Sequence, residues 1–196
     1  MNLNNNHLVL VDWMIPRYSP SIDFLKNAIL VIIFSLIVSL SAQIRINLGF
    51  TPVPITAQTF VVLLTGALLG SKRGASVMIL YIIEGAFLPV FSNGGSGLIW
   101  QLSTGGYILG FIPAAYMIGK LIELGWAQKP WILPSLILSN ALIYIPGLAV
   151  LSFWVPEGTT FEYGLFPFIL GDLIKIILVA IVIPLTYNQV NKMHKG

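Results

Sequence analysis

Long apolar stretches recur along this chain, and they constrain its fold more than any single motif does. Residues 24–44 carry one charge, Lys26, over about the length of a helix that crosses a bilayer core. Further apolar runs follow at 55–70, 75–91, 107–124, 131–155 and 164–187, with Ser71-Lys72-Arg73-Gly74 a tight basic turn and the run at 131–155 interrupted by Pro146-Gly147. Hydrophobic residues make up 57% of the 196 residues and charged residues only 9%. Soluble domains carry about 25% charged residues, so this chain has too few charges to cover its own surface. Lipid must be its solvent. The reading is an all-α integral membrane protein of six transmembrane helices. Residues 1–23 form a cytoplasmic lead-in, 24–187 the membrane domain and 188–196 a basic cytoplasmic tail. The run at 24–44 is too long for a signal-peptide core and is read as retained. The run at 55–70 is the shortest and spans only with help from its flanks or local thinning.

The basic residues set the orientation. With the N-terminus inside, the cytoplasmic segments collect Arg17, Lys26, Lys72, Arg73, Lys120, Lys129, Lys192 and Lys195. The outer segments hold Arg45, Glu157 and Glu162. Excess Lys and Arg in short loops marks the cytoplasmic side, which predicts both termini inside a cell membrane. The net charge of +3 is spread between apolar runs rather than gathered in one patch, which argues against nucleic acid. Cys is absent, and His7 and His194 lie near opposite ends. Thiolate sites and His clusters are therefore excluded, and neither a metal nor a cofactor is expected.

Lys175 belongs to no loop. It lies in the sixth run with Asp172, in Gly171-Asp172-Leu173-Ile174-Lys175, and the i, i+3 spacing places both on one helix face. If the helix begins near Gly164, Asp172 stands roughly 12 Å down it, in its outer half. Charges within a membrane are costly and mark functional sites by default. The functional reading is a clamp for a small ligand carrying an anionic group and N–H donors. The competing reading is an ion pair that only locks two helices together. Glu84 is a second charge in an apolar run, where an interfacial position competes with a place in the site.

Ser92-Asn93-Gly94-Gly95-Ser96-Gly97 lacks the pattern of a phosphate loop. It suits close backbone approach to a ligand or helix. Asn93 can donate and accept there, against the plainer reading of a turn residue. Trp100 and Tyr107 flank this loop, either as an interfacial aromatic belt or as a stacking wall for a ligand. Ser35 and Ser39 make a small-x-x-x-small face on the first helix, which suits a partner helix or packing inside the bundle.

Several blocks together resemble one family. Pro52-Val53-Pro54-Ile55-Thr56-Ala57-Gln58-Thr59 is similar to the P-V-P-[IV]-T-x-Q-T signature of the BioY family. Gly70-Ser71-Lys72-Arg73-Gly74, Gly85-Ala86-Phe87-Leu88-Pro89-Val90-Phe91, Thr104-Gly105-Gly106-Tyr107-Ile108-Leu109-Gly110-Phe111 and Gly171-Asp172-Leu173-Ile174-Lys175 extend the likeness. The resemblance implies the biotin-specific S component of an energy-coupling factor (ECF) transporter. That is a six-helix bundle holding biotin near the outer face, under the loop between its first two helices. It further implies a transmembrane coupling protein and two ATPase subunits as partners. Asp172 and Lys175 would be the principal polar ligands of biotin, with Asn93 assisting and with Gln58 and Tyr107 at motif positions. Two positions depart from the family pattern. Ser35 and Ser39 stand where the usual coupling motif has alanines, and Glu84 where many members are apolar.

The function expected is therefore biotin binding and delivery to the cytoplasm, without bond chemistry, any ATP hydrolysis being left to partner subunits. Alternatives are an S component for another small vitamin, or a solitary or homo-oligomeric biotin transporter. An intramembrane enzyme using Asp172 or Glu84 is disfavoured, because such chemistry usually wants paired acids or a metal.

Overall fold

A computed structural model describes residues 9–14, 19–127 and 130–193. Of the residues used above, His7, Arg17, Lys129, His194 and Lys195 lie outside it. The fold is helical, with α1 (Leu10–Met14), α2 (Pro20–Gln43), α3 (Gln58–Leu69), α4 (Ser71–Phe87), α5 (Gly105–Glu123), α6 (Ile132–Leu151), α7 (Thr160–Gly164) and α8 (Ile169–Met193). Two short strands, β1 (Arg45–Ile46) and β2 (Ile55–Thr56), pair antiparallel after α2. Short 3-10 turns at Ser92–Gly94 and Ile99–Gln101 shape the stretch before α5.

Among the described residues, four segments are long and apolar enough to cross a membrane: Pro20–Gln43, Gly105–Glu123, Ile132–Leu151 and Thr160–Val190. The last of these bridges α7 and α8. Helix α3 has 12 residues and α4 has 17. These two are shorter than the roughly 20 residues a straight span needs.

Three expected boundaries differ. The basic stretch Ser71-Lys72-Arg73-Gly74 is the first turn of α4, not a loop, and the chain reverses at Gly70 alone. Its φ of +88° suits glycine, which has no Cβ to clash there. Pro146 does not interrupt α6, which runs through it. Membrane helices tolerate such prolines because neighbouring groups satisfy the freed carbonyl. The sixth run is two helices, broken between Gly164 and Ile169, and α8 continues to Met193 through much of the expected tail. Asp172 therefore stands in the first turn of α8 rather than well down a helix begun at Gly164. A carboxylate is favoured there by the helix dipole.

The core follows the apolar pattern. Val38, Tyr81, Tyr107, Phe111 and Ile143 belong to one buried cluster, and Leu63, Ile118, Leu136, Val179 and Ile183 to a second. Helices α5 and α6 approach closely at Gly110, where a Cβ would lie 2.7 Å from the Ile143 carbonyl oxygen. Small residues are how membrane helices achieve such contact. Helix α2 is peripheral, exposing Phe24, Leu25, Ile29, Ile32, Leu36 and Leu40. A face of that kind is what lipid solvates.

Candidate functional site

A cavity opens where α3, α5, α6 and α8 meet beneath the β1–β2 hairpin. It holds about 570 Å³ of empty space, part of it open to solvent. Val53, Pro54 and Thr56 of the hairpin region roof it, and Tyr107, Ile108, Phe111, Ile143 and Phe168 form apolar walls. The polar floor comes from Thr59, Tyr144, Asp172 and Lys175.

Asp172 organises that floor. The residue is 5% exposed. Oδ1 accepts from Thr59 Oγ1 at 3.2 Å and from Lys175 Nζ at 3.2 Å. Oδ2 accepts from Asn140 Nδ2 at 2.9 Å and from Tyr144 OH at 2.6 Å. Lys175 Nζ also donates to Thr59 Oγ1 at 2.8 Å. Helices α3, α6 and α8 thus meet on one carboxylate, whose roughly four lone-pair sites are all engaged. Lys175 spends two of its three N–H groups on these partners and keeps one. The Asp172–Lys175 pair anticipated from the i, i+3 spacing is direct. Through Asp172 it ties α8 to α3 and α6, and both residues line the cavity.

The remaining candidates divide. Gln58 and Tyr107 line the cavity. Gln58 Nε2 donates to the Tyr81 hydroxyl at 2.8 Å, while Thr56 Oγ1 donates to its Oε1 at 3.3 Å. Tyr107 OH donates to the Gly164 carbonyl at 2.8 Å, and its ring meets Tyr144 edge-on with centroids 6.0 Å apart. Asn93 is exposed and sits at φ 62°, accepting from Asn47 Nδ2 of the hairpin at 3.4 Å, while its neighbour Ser92 lines the cavity. Trp100 is 69% exposed and stands away from the cavity wall.

Glu84 stands apart from the cavity, between α4 and α2, where Oε1 accepts from Ser35 Oγ at 2.7 Å. Its Oε2 is buried without a partner among the described residues. Ser35 is fully buried and Ser39 is 8% exposed. Both turn inward toward the bundle, and a different face of α2 is open.

The site residues that sequence reasoning missed are Asn140, Tyr144 and, as a floor residue, Thr59. Their signal was present. Asn140 and Tyr144 are spaced i, i+4 in an otherwise apolar run, and therefore share a helix face. Thr59 closes the Pro52–Thr59 block.

Residues 13–192 match the BioY family. The chain belongs to the BioY family. The biotin transporter BioY of Thermotoga maritima is 38% identical over 153 residues, covering 76% of this chain and 89% of that protein. The biotin transporter BioY of Rhizobium etli is 34% identical over 168 residues, covering 80% and 90%. The fold is similar to that of the S-component for biotin from an ECF-type ABC transporter. The TM-score is 0.73 at 25% identity, with 92% of this chain and 96% of that chain covered. Three of the five blocks reach the cavity: Thr59 ends the first, Tyr107 lies in the fourth, and Asp172 and Lys175 lie in the last.

Proposed function

We propose that this chain is the membrane-embedded, biotin-binding component of a biotin uptake transporter. The observation that carries the reading is the buried Asp172–Lys175 floor beneath a cavity with apolar walls, in a family whose named relatives are biotin transporters. Biotin joins a ureido ring to an apolar bicycle and a carboxylate-ended chain. With Nζ and Oδ1 only 3.2 Å apart, Asp172 and Lys175 meet the same end of a ligand. The ureido ring suits that floor, because its carbonyl takes the spare Lys175 N–H while a ligand carboxylate would face Asp172. Tyr107, Phe111 and Ile143 then take the apolar part, with Gln58 at the wall and Asn93 holding the hairpin rim.

The same reading carries a topology and partners. Helices α2, α3, α4, α5, α6 and α8 are the six spans, α3 and α4 crossing a locally thinned or flank-assisted bilayer. Both termini are cytoplasmic, by the Lys and Arg distribution. Residues 24–187 form the membrane domain. A transmembrane coupling protein with two ATPase subunits supplies the energy, since the structural relative is an S-component of such a transporter. A partner that packs on Ser35 and Ser39 must first part α2 from α4. Glu84 and Trp100 act outside the cavity, Glu84 at that helix contact and Trp100 at the membrane interface.

Purified protein should bind biotin tightly, and Asp172→Asn or Lys175→Ala should weaken binding sharply. Unchanged affinity in both variants refutes the site. Competition by other vitamins at equal strength points to a different S component. Biotin uptake in cells lacking coupling proteins indicates solitary function, and its absence an obligatory partner.

A further inference from the structure

We propose that a basic cavity at the end of the bundle away from the hairpin holds the phosphate of an anionic phospholipid. The site is separate from the one assigned to biotin. Helix α3 leads from the hairpin at Gln58 to the turn at Gly70, so the block Gly70–Gly74, which the first cavity does not use, stands at the far end. There, among the described residues, a second cavity holds about 1030 Å³ of empty space, part of it open to solvent. Asp12, Lys72 and Arg73 line it together with Tyr116, Lys120 and Glu123 of α5. Its charges do not balance. Asp12 pairs with Arg73. Glu123 Oε1 accepts from Ser71 N and from Ser71 Oγ at 2.8 Å, and its Oε2 lies 3.6 Å from Lys120 Nζ. Both carboxylates are thereby committed, while the exposed Lys72 has no partner among the described residues. Its own helix does not reward that position either, because the dipole disfavours a cation in the first turn of α4. A phosphodiester brings the single negative charge that is missing, and basic pockets between membrane helices take such headgroups.

The surface leading away from the cavity selects a lipid over a free anion. Helices α4 and α5 pack side by side, and a Cβ on Gly119 would lie 2.4 Å from Ser71 N, which draws the Lys72 and Lys120 ends together. From Lys72 the exposed stripe of α4 continues through Ser76, Ile79 and Ile83. From Lys120 that of α5 continues through Tyr116, Pro113 and Leu109. Spacings of three and four keep each set on one helix face. Ser76 turns its hydroxyl back to the Lys72 carbonyl at 3.0 Å, so both stripes below the cations suit acyl chains. In the topology proposed above, the headgroup belongs to the cytoplasmic leaflet.

The test titrates the detergent-solubilised full chain with phosphatidylglycerol or with phosphatidylcholine of the same acyl chains, and counts bound lipid by native mass spectrometry. Wild type should take up one phosphatidylglycerol ahead of any other lipid. Its preference over phosphatidylcholine should be about 25-fold, from about fivefold for each of two lysines. Lys72→Gln should reduce that preference to about fivefold, and Lys72→Gln with Lys120→Gln should abolish it. A preference that survives in the double variant overturns the proposal. So does uptake of phosphatidylglycerol by wild type with no plateau at one per chain, which is unspecific attraction. Millimolar inorganic phosphate should leave the first lipid in place, and its complete displacement makes the occupant a free anion and overturns the lipid assignment. Thermal unfolding in phosphatidylcholine nanodiscs checks the fold. Lys72→Gln, at an exposed position, should melt with wild type and keeps the comparison readable if the double variant is less stable. Biotin binding should be the same in both variants as in wild type, so failure of the biotin reading and failure of this one are seen in different measurements.

Discussion

Removing the Lys175 ammonium isolates what the floor contributes. In Lys175→Met the side-chain volume is nearly kept while the cation is lost, so the buried Asp172 carboxylate stands without its counter-charge. Breaking a buried pair from one side costs about 3–5 kcal/mol. Three donors remain, Thr59 at 3.2 Å, Asn140 at 2.9 Å and Tyr144 at 2.6 Å. Hydrogen bonds to a charged acceptor are the stronger kind, which places the cost near the lower end, about 3 kcal/mol. For a chain of this size each kcal/mol shifts Tm by about 2–4 °C, so unliganded Lys175→Met should melt about 6–12 °C below wild type. Asp172→Asn added to Lys175→Met removes the orphaned charge and should recover at least half of that loss, a non-additivity expected of contacting residues. Thermal unfolding in lipid nanodiscs without biotin reads the stability of wild type and the two variants. Titration calorimetry should then show Lys175→Met binding biotin about 10–150-fold more weakly, as loss of a charged hydrogen bond requires. A Tm within a degree of wild type, or a double variant no more stable than Lys175→Met, refutes the account of the floor as a balanced ionic junction.

Two further outcomes follow from packing. Gly110→Ala drives a Cβ to 2.7 Å from the Ile143 carbonyl oxygen, so α5 and α6 must separate. The expected cost is about 1–3 kcal/mol, seen as a lower Tm together with weaker biotin binding, because Tyr107 and Tyr144 sit on those two helices. At the α2–α4 contact, Ser35→Ala leaves Glu84 without its donor at 2.7 Å and should cost about 1–3 kcal/mol. Adding Glu84→Leu should restore most of that stability, and a double variant as unstable as Ser35→Ala contradicts the contact.

The apolar runs located the helices, because a chain with so few charges has little freedom about where its helices lie. The i, i+3 spacing of Asp172 and Lys175 was enough to place both on one face of α8. Helix ends were less legible. Lys72 and Arg73 look like a loop by charge, yet the left-handed Gly70 turns the chain in one residue and lets α4 start at Ser71. The break between Gly164 and Ile169 lies within continuous hydrophobicity, so only tertiary contacts, such as Tyr107 OH to the Gly164 carbonyl, reveal it. Asn140 and Tyr144 were hidden for a related reason: a polar group buried in an apolar helix shows its role only once its partner on another helix is known. The spacing of Ser35 and Ser39 defined a face, while its direction, inward to Glu84, depended on the packing of α2.

The floor has a mechanical consequence. Three helices converge on one buried carboxylate, and prising any of them away strips a donor from a charge that has no water to replace it. The roof is a hairpin of two-residue strands, stitched to its surroundings by Gln43 to the Phe91 carbonyl, Thr51 to the Tyr163 carbonyl and Asn47 to Asn93. The cavity thus lies between a junction of three helices and a hairpin held by a few side-chain hydrogen bonds, so the hairpin is the side that yields more easily.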